Sequence, residues 1–298
     1  MSAGFVLGLD FGGTKIAMST ARPDGGTLRS VRLATRAEDG AETVLRRALE
    51  AARRLVAETG ADGGRLVAAG VATFGVVRGQ RVLLAPNVPG WEDLPLPRLL
   101  ADGLGAPIVR LDNDVNAATA AELRWGGLAG VDTGLYVNLG TGLGAGIVVG
   151  GRVVRGANGA AGEIGYLLRS PGEPGHAAGR APLEEHVSGG GLARRASALA
   201  GREITARELF GPSVPAELRA LRDAALDELG MAVANLAIAL DPERIVLGGG
   251  MAAEPAPASR LERLLARAVP FPPALEPAHF GADAALRGAL ALALDALP

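Results

Sequence analysis

An acid, two glycines, a hydroxyl and an amine follow one another in Asp10-Phe11-Gly12-Gly13-Thr14-Lys15, directly behind the apolar run Phe5-Val6-Leu7-Gly8-Leu9. Each residue type suits a phosphate site. Glycines carry no Cβ, so the backbone N–H groups of Gly12 and Gly13 can approach phosphate oxygens closely. Thr14 adds a hydroxyl donor and Lys15 a cation, while Asp10 would hold a hydrated Mg²⁺ through water. Lys15 is the single lysine among the 30 basic residues, all the others being arginine. An ammonium is a compact point charge and a guanidinium a broad planar fork. A position that keeps lysine in so arginine-rich a chain reads as a site with room only for the smaller group. Taken alone, a Gly-Gly turn is more often a plain hairpin turn.

A second segment, Asn138-Leu139-Gly140-Thr141-Gly142-Leu143-Gly144-Ala145-Gly146, is richer in glycine than a tight turn requires. Two such hairpins, with Gly140, Thr141 and Gly142 on the second, would grip a nucleotide polyphosphate from both sides. Neither is a P-loop or a dinucleotide fingerprint, because each turn leads into another strand rather than a helix. A third cluster, Gly248-Gly249-Gly250-Met251, would let a flat base or ribose lie on backbone, though triple glycine is also common in loops.

The elements that must position these residues follow from periodicity. Residues 5–10, 16–21, 65–74, 108–111, 135–139, 145–149 and 244–247 read as strands. Residues 41–59 carry one helical stripe of Val44, Leu45, Ala48, Leu49, Ala52, Leu55 and Val56, closed by Gly60. Asp112-Asn113-Asp114 leads from a strand into an Ala-rich helix ending near Trp125, with Asp112 or Asn113 as its cap. Residues 216–240 read as a long helix stopped by Asp241-Pro242, and 283–297 as a C-terminal amphipathic helix. The strand, Gly-Thr turn and returning strand of the opening recur at 135–149, a weak internal duplication. Residues 170–182 are turn-rich and without periodicity, so this loop is expected to be mobile until a ligand orders it. Strands followed by helices in both halves predict an α/β fold of two similar lobes.

Composition narrows the function classes. There is no cysteine, which removes disulfides, thiolate zinc sites and cysteine nucleophiles, and fits a reducing compartment. A net charge of −2 leaves no footprint for nucleic acid or anionic membrane. No stretch has the ~18 apolar residues of a membrane span, and the N-terminus lacks signal-peptide character. A cytoplasmic globular protein is expected.

Taken in order, Asp10–Lys15, Pro86-Asn87-Val88-Pro89-Gly90-Trp91, Asn113-Asp114-Val115-Asn116-Ala117, Gly140–Gly146, Gly159-Ala160-Ala161-Gly162-Glu163-Ile164-Gly165 and Asp241–Gly250 give the chain a clear resemblance. It resembles the ROK family of bacterial sugar kinases and sugar-responsive repressors, in the actin-like ATPase superfamily, from Gly8 to about Leu290. The resemblance implies a two-lobed actin-like (ribonuclease H-like) α/β fold with a central cleft. Residues 1–116 would form the N-terminal lobe, joined by the C-terminal helix 283–298, and residues 117–282 the C-terminal lobe. It implies an ATP- and Mg²⁺-dependent glucokinase-like hexose kinase, with glucose the first candidate and fructose, mannose or an N-acetyl-hexosamine behind it. Asp114 would be the general base, otherwise an acid complementing a helix dipole. Asn87, Asn113, Glu163 and Glu184 would bind sugar hydroxyls. Gly12, Gly13, Thr14, Lys15, Gly140, Thr141, Gly142, Gly249 and Gly250 would bind the nucleotide, and Asp10 the magnesium through water. Dimers are the family habit.

Two departures stand out. The family's His after Gly-Glu-x-Gly is here Tyr166, and its zinc-binding cysteines are missing, so no structural zinc is expected; His176 and His186 alone make a poor closed site. Tyr166 carries a phenolic donor and acceptor that would take over the sugar contact of that His. Phe74 stands where many members have Pro. A catalytically degenerate sugar-binding or regulatory protein is the alternative. A DNA-binding repressor is disfavoured by the charge and by the position of the first phosphate hairpin.

Overall fold

The computed structural model describes residues 4–211 and 213–297. It divides into two compact units. The first takes the chain up to Trp125, the short segment Arg155–Ala160 and the C-terminal stretch from Asp283; the second takes Gly126–Val154 and Ala161–Ala282.

In the first unit, β1 (Gly4–Phe11) is an almost unbroken apolar run and is buried along nearly its whole length, the mark of a central strand covered on both faces. The Gly12–Thr14 turn returns it antiparallel as β2 (Lys15–Ala21), and β3 (Thr27–Ala34) lies on the outer edge. The stripe read from the sequence makes α1 (Ala41–Gly60), with Val44, Leu45, Ala48, Ala52 and Leu55 buried. Next come β4 (Arg65–Thr73), a small ribbon of β5 (Val76–Arg78) and β6 (Arg81–Leu83), α2 (Leu96–Leu104), β7 (Val109–Asn113) and α3 (Asp114–Trp125). The sheet order is β3-β2-β1-β4-β7, antiparallel on the hairpin side and parallel on the other.

The second unit repeats the plan. Its strands are β8 (Gly134–Leu139), β9 (Leu143–Val149), β10 (Arg152–Val154), β11 (Arg244–Gly248) and β12 (Ala274–Pro277), ordered β10-β9-β8-β11-β12 with the same change from antiparallel to parallel. Its helices are α4 (Pro182–Val187), α5 (Gly189–Ala200), α6 (Ala216–Leu240) and α7 (Pro255–Ala268). The duplication faintly visible in the sequence is thus a duplication of sheet topology.

The C-terminal helix α8 (Ala284–Leu294) packs on β1, β4 and α3 of the first unit. It comes very close, and glycine permits this. A Cβ on Gly70 would collide with the Ala289 carbonyl, one on Gly288 with the Ala117 carbonyl, and one on Gly8 would lie 2.8 Å from Leu290 Cγ. The two units have separate apolar cores, one around Leu7, Leu9, Val71 and Trp91, the other around Leu135, Val137, Leu229 and Ile245.

Elements differ from expectation mainly at their ends. β7 starts at Val109 and runs to Asn113, β9 starts at Leu143, and α8 stops at Leu294. β3, β5, β6, β10, β12, α2, α4, α5 and α7 were not legible as elements. β3 shows why: its solvent side is broken by Arg29, Ser30 and Arg32, and only Val31 and Leu33 are half covered.

Candidate active site

Asp10 is buried one residue before the end of β1, and the turn after the strand is held tightly. Gly12 N–H donates to the Lys15 carbonyl at 3.0 Å, Thr35 Oγ1 donates to the Gly12 carbonyl at 2.6 Å, and Thr35 N–H donates to the Thr14 carbonyl. A Cβ on Gly12 would press on the Lys15 carbonyl at 2.8 Å. The backbone N–H groups of Gly13 and Thr14 have no hydrogen-bond partner among the described residues, so two donors remain at the tip of an exposed turn. Thr14 and Lys15 are exposed.

Asn87 comes to this turn from a distant segment. A Cβ on Gly13 would lie 3.0 Å from Asn87 Nδ2. Its loop is anchored by Trp91, which is buried between Phe11 and Phe74 with ring centroids 5.1 and 5.2 Å away. The indole Nε1 donates to Thr73 Oγ1 at 3.1 Å, and Glu92 accepts from Ala85 N–H at 2.6 Å. Phe74, the departure from the family pattern, is therefore one wall of the Trp91 slot.

Asp114 stands where β7 passes into α3 without an intervening loop. Asn113 Oδ1 accepts the Asn116 N–H at 2.6 Å, so Asn113, not Asp112, caps the helix. Asp114 Oδ1 accepts the Val115 N–H at 2.9 Å. Burial pushes the Asp114 carboxyl up to about 6, against the lowering effect of the Val115 N–H and of its own backbone N–H. Asp10 is pushed up to about 7, by burial first and by the charge of Asp114 next; Lys15 works in the opposite direction and Asp283 adds to the rise. The first unit thus gathers Asp10, Gly12, Gly13, Thr14, Lys15 and Asn87 around one hairpin, and places Asp114 within electrostatic reach of Asp10.

Asp10 is the donor to consider for magnesium. Among the described residues no group of three or more His, Asp or Glu is arranged to cage a metal. A single buried carboxylate, Asp10, with the charges of Asp114 and Lys15 acting on it, would hold a Mg²⁺ through the ion's waters rather than in a dedicated protein cage.

In the second unit, Glu184 holds the other hairpin. Its Oε2 accepts the Leu143 N–H at 2.9 Å and would lie 3.0 Å from a Cβ on Gly142. The first turn of α5 is bolted to the same hairpin, with Gly189 N–H donating to the Gly140 carbonyl and Gly190 N–H to the Thr141 carbonyl. Thr141 and Gly142 N–H have no hydrogen-bond partner among the described residues. The turn around Glu163 is pinned to β9, because Ala145 N–H donates to the Gly162 carbonyl at 2.8 Å. Gly162 has φ +87° and its Cβ would strike the Ala145 carbonyl, so only glycine fits. Gly165 comes within 3.6 Å of Glu184 Oε2 by the same measure, which puts Glu163, Tyr166, Glu184 and the hairpin in one neighbourhood.

The third glycine cluster divides. Gly249 has φ +91° and presses on the Leu139 carbonyl, and a Cβ on Gly248 would run into the Tyr136 hydroxyl, so both are needed for packing. Gly250 alone faces open space.

The loop 170–182, expected to lack anything to dock it, is tied by charge. Arg169 N–H donates to Glu173 Oε2 at 2.8 Å, and its guanidinium pairs with Glu173 and, on α6, with Glu228 at 3.1 Å. Arg180 forks onto Glu185, which also accepts the Ala181 N–H. Tyr166 meets His176 edge-on at 5.4 Å between ring centroids. His186 Nδ1 is buried without a hydrogen bond, 3.6 Å from Glu228; burial, then Arg195 and Arg169, hold its imidazole below the ordinary value.

Sequence reading assigns no role to Thr35 or Arg155, which carry no signal beyond their positions; Trp91 and Asn116 lie inside the motifs but without a role, and Asp112 is read only as a candidate cap.

Comparison with known proteins agrees with this architecture. The family model described as "ROK family" matches residues 6–296. A glucokinase of Halalkalibacterium halodurans is 31% identical over 271 residues, 84% of this chain and 82% of the relative. The crystal structure of a ROK hexokinase from Thermus thermophilus superposes with a TM-score of 0.81 at 37% identity, covering 97% of each chain. A ROK family glucokinase from Streptomyces griseus, solved in complex with glucose and AMPPNP, gives 0.75 at 28% identity over 98% of this chain and all of that one. With a family match over nearly its whole length, two units of duplicated topology and the ordered motifs in place, the chain belongs to the ROK family.

Proposed function

We propose that the protein is an ATP-dependent sugar kinase that transfers the γ-phosphate to a hexose hydroxyl, with glucose the first candidate. The observation that carries this reading is Asp114: a carboxylate at a strand–helix junction, next to the helix-capping Asn113 and raised toward neutrality. A base tuned close to working pH is suited to accept a hydroxyl proton during phosphoryl transfer.

Asn87, Asn113, Glu163, Tyr166 and Glu184 would hold the sugar. Glu184 already spends Oε2 on the Leu143 N–H, which leaves Oε1 for a hydroxyl and fixes its direction. Gly12, Gly13, Thr14 and Lys15, with Gly140, Thr141 and Gly142, would line the phosphates; the N–H groups of Gly12 and Gly140 are spent inside their own turns, so the donors would be the N–H groups of Gly13, Thr14, Thr141 and Gly142, the Thr hydroxyls and the lysine. Gly249 and Gly250 would border the nucleoside. Asp10 would hold Mg²⁺ through water, and the ion would neutralise phosphate charge as it builds up. Positioning and charge neutralisation, not covalent catalysis, would lower the barrier.

A second reading is a sugar-binding protein without turnover. It is favoured by Tyr166, whose ring is engaged with His176. A coupled ADP-release assay over glucose, fructose, mannose, N-acetylglucosamine and N-acetylmannosamine separates the two, with polyphosphate run as an alternative donor. ADP release with at least one sugar is the expected result. Calorimetric sugar binding with no release from any of them would favour the second reading and overturn the first.

A further inference from the structure

Asp112, Asn113 and Asn116 are three polar partners, all buried at the junction of β7 and α3. Buried polar groups are costly unless their bonds are made, and here the bonds form a chain. Asp112 Oδ1 accepts from Asn113 N–H and from Asn116 Nδ2, both at 2.9 Å. Asn116 N–H in turn donates to Asn113 Oδ1. The remaining oxygen, Asp112 Oδ2, accepts Arg155 Nε at 2.6 Å. Arg155 follows β10 in sequence but belongs to the first unit, in the inserted segment Arg155–Ala160. That segment is seated closely: Gly159, at φ +76°, leaves no space for a Cβ against the Val77 carbonyl.

We infer that Arg155 is a positioning residue for the proposed phosphoryl transfer, acting through Asp112 and Asn116 to fix Asn113 and Asp114. The inference rests on the reading of Asp114 as base. The arginine supplies a side-chain cation bonded to the buried Asp112 carboxylate, and that carboxylate holds both the backbone of Asn113 and the side chain of Asn116. Without it, Asp112 keeps an uncompensated charge in a buried place. It must then turn toward solvent, releasing Asn116 and with it the first turn of α3. A shift of about 1 Å at a reacting group costs on the order of 10²-fold in rate.

The test is a set of variants, Arg155→Ala, Arg155→Lys, Asp112→Asn and the double Arg155→Ala/Asp112→Asn, with Asp114→Asn as control. Arg155→Ala should lower kcat by ~10- to 100-fold with little change in the KM for ATP. Arg155→Lys should recover part of the loss. The double variant should be no worse than Arg155→Ala, because both substitutions break one link. In the substrate-free protein, the side-chain amide resonances of Asn113 and Asn116 should move in Arg155→Ala and return toward wild type in Arg155→Lys. Unmoved amides, or a lowered Tm with kcat intact well below it, would make the pair merely structural and overturn the inference. If instead Asp114→Asn keeps full activity, the assignment of the base fails, and the amide resonances still decide whether Arg155 orders this junction.

Discussion

Asp10 and Asp114 are carboxyls that the fold makes harder to ionise, and both stand where phosphate chemistry is proposed. The raised value of Asp114, about 6, sets an acid limb: kcat/KM for the sugar should rise with pH through about 6 to 7 and then level, as the base loses its proton. Stability carries the opposite sign. These carboxyls hold protons to higher pH folded than unfolded, where the ordinary value is 3.8. The folded state therefore binds more protons between about pH 4 and 7, and the stability linked to them falls as pH rises across that window. Asp114→Asn should cut kcat by ~10²-fold or more. It should also raise Tm at about pH 8 while changing it little near pH 4. A variant with wild-type turnover, or one destabilised equally at both pH values, contradicts the assignment. Lys15 makes a separate prediction. It is exposed beside Asp10, on a turn whose Gly13 and Thr14 N–H groups are unpaired. Lys15→Arg should lower kcat/KM for ATP by ~10-fold, since a fork does not replace a point charge at a phosphate; unchanged kinetics would mean that the lone lysine is compositional accident. Chemistry-bearing residues were readable because few residue types can do this chemistry. Arg155 was not, because one arginine among many carries no sign of which carboxylate it meets.

At the scale of elements, the loop 170–182 is the place where sequence and structure part. Periodic apolar residues are what a sequence reveals about docking, and this loop has none. Its ties are Arg169 to Glu173 and Glu228, and Arg180 to Glu185. Charged pairs leave no apolar periodicity to read, and the tie from Arg169 to Glu228 spans 59 residues of sequence. Glu173 is held below the usual carboxylate range, chiefly by the Arg169 N–H and then by its guanidinium, so the tie should persist at neutral pH and loosen in acid. Hydrogen exchange across 170–182 should therefore be slow in the ligand-free protein, and Arg169→Ala should speed it by ~10-fold or more, since three charge-assisted bonds are lost together. Equal exchange in the two proteins would mean that the loop is held by something other than Arg169. Elsewhere the agreement is close, and for a reason. α1 and α6 were legible because each carries a long apolar face or a sharp stop, and β1, β4 and β8 because a strand buried on both sides is apolar without interruption. Edge strands such as β3 and β10 escape because no residue of either is fully buried.

At the scale of the whole molecule, chain order and spatial order separate at the C-terminus. α8 is the last element, yet it completes the first unit, lying on β1, β4 and α3. The glycines that let it in, Gly8, Gly70 and Gly288, were visible as letters but not as contacts, because a close approach depends on two segments more than 200 residues apart in the case of Gly70 and Ala289. No helix of the described residues is long and apolar enough to cross a membrane. Leu286, Leu290, Leu292 and Leu294 are all buried. At ~1.5–3 kcal/mol for each, they contribute about 6–12 kcal/mol, as much as the net stability of a typical domain, ~5–15 kcal/mol. A chain ending at Ala282 should therefore lose the first unit outright. The second unit has its own core and keeps all its strands, so it should stay folded. Limited proteolysis of that truncated chain should degrade residues before Trp125 while sparing a fragment that contains β8–β12. Sugar phosphorylation should be undetectable, because Asp10, Lys15, Asn87 and Asp114 all belong to the unit that has come apart. A truncated chain that still turned over would mean that α8 is an accessory and that the sheet and α3 close the first core without it.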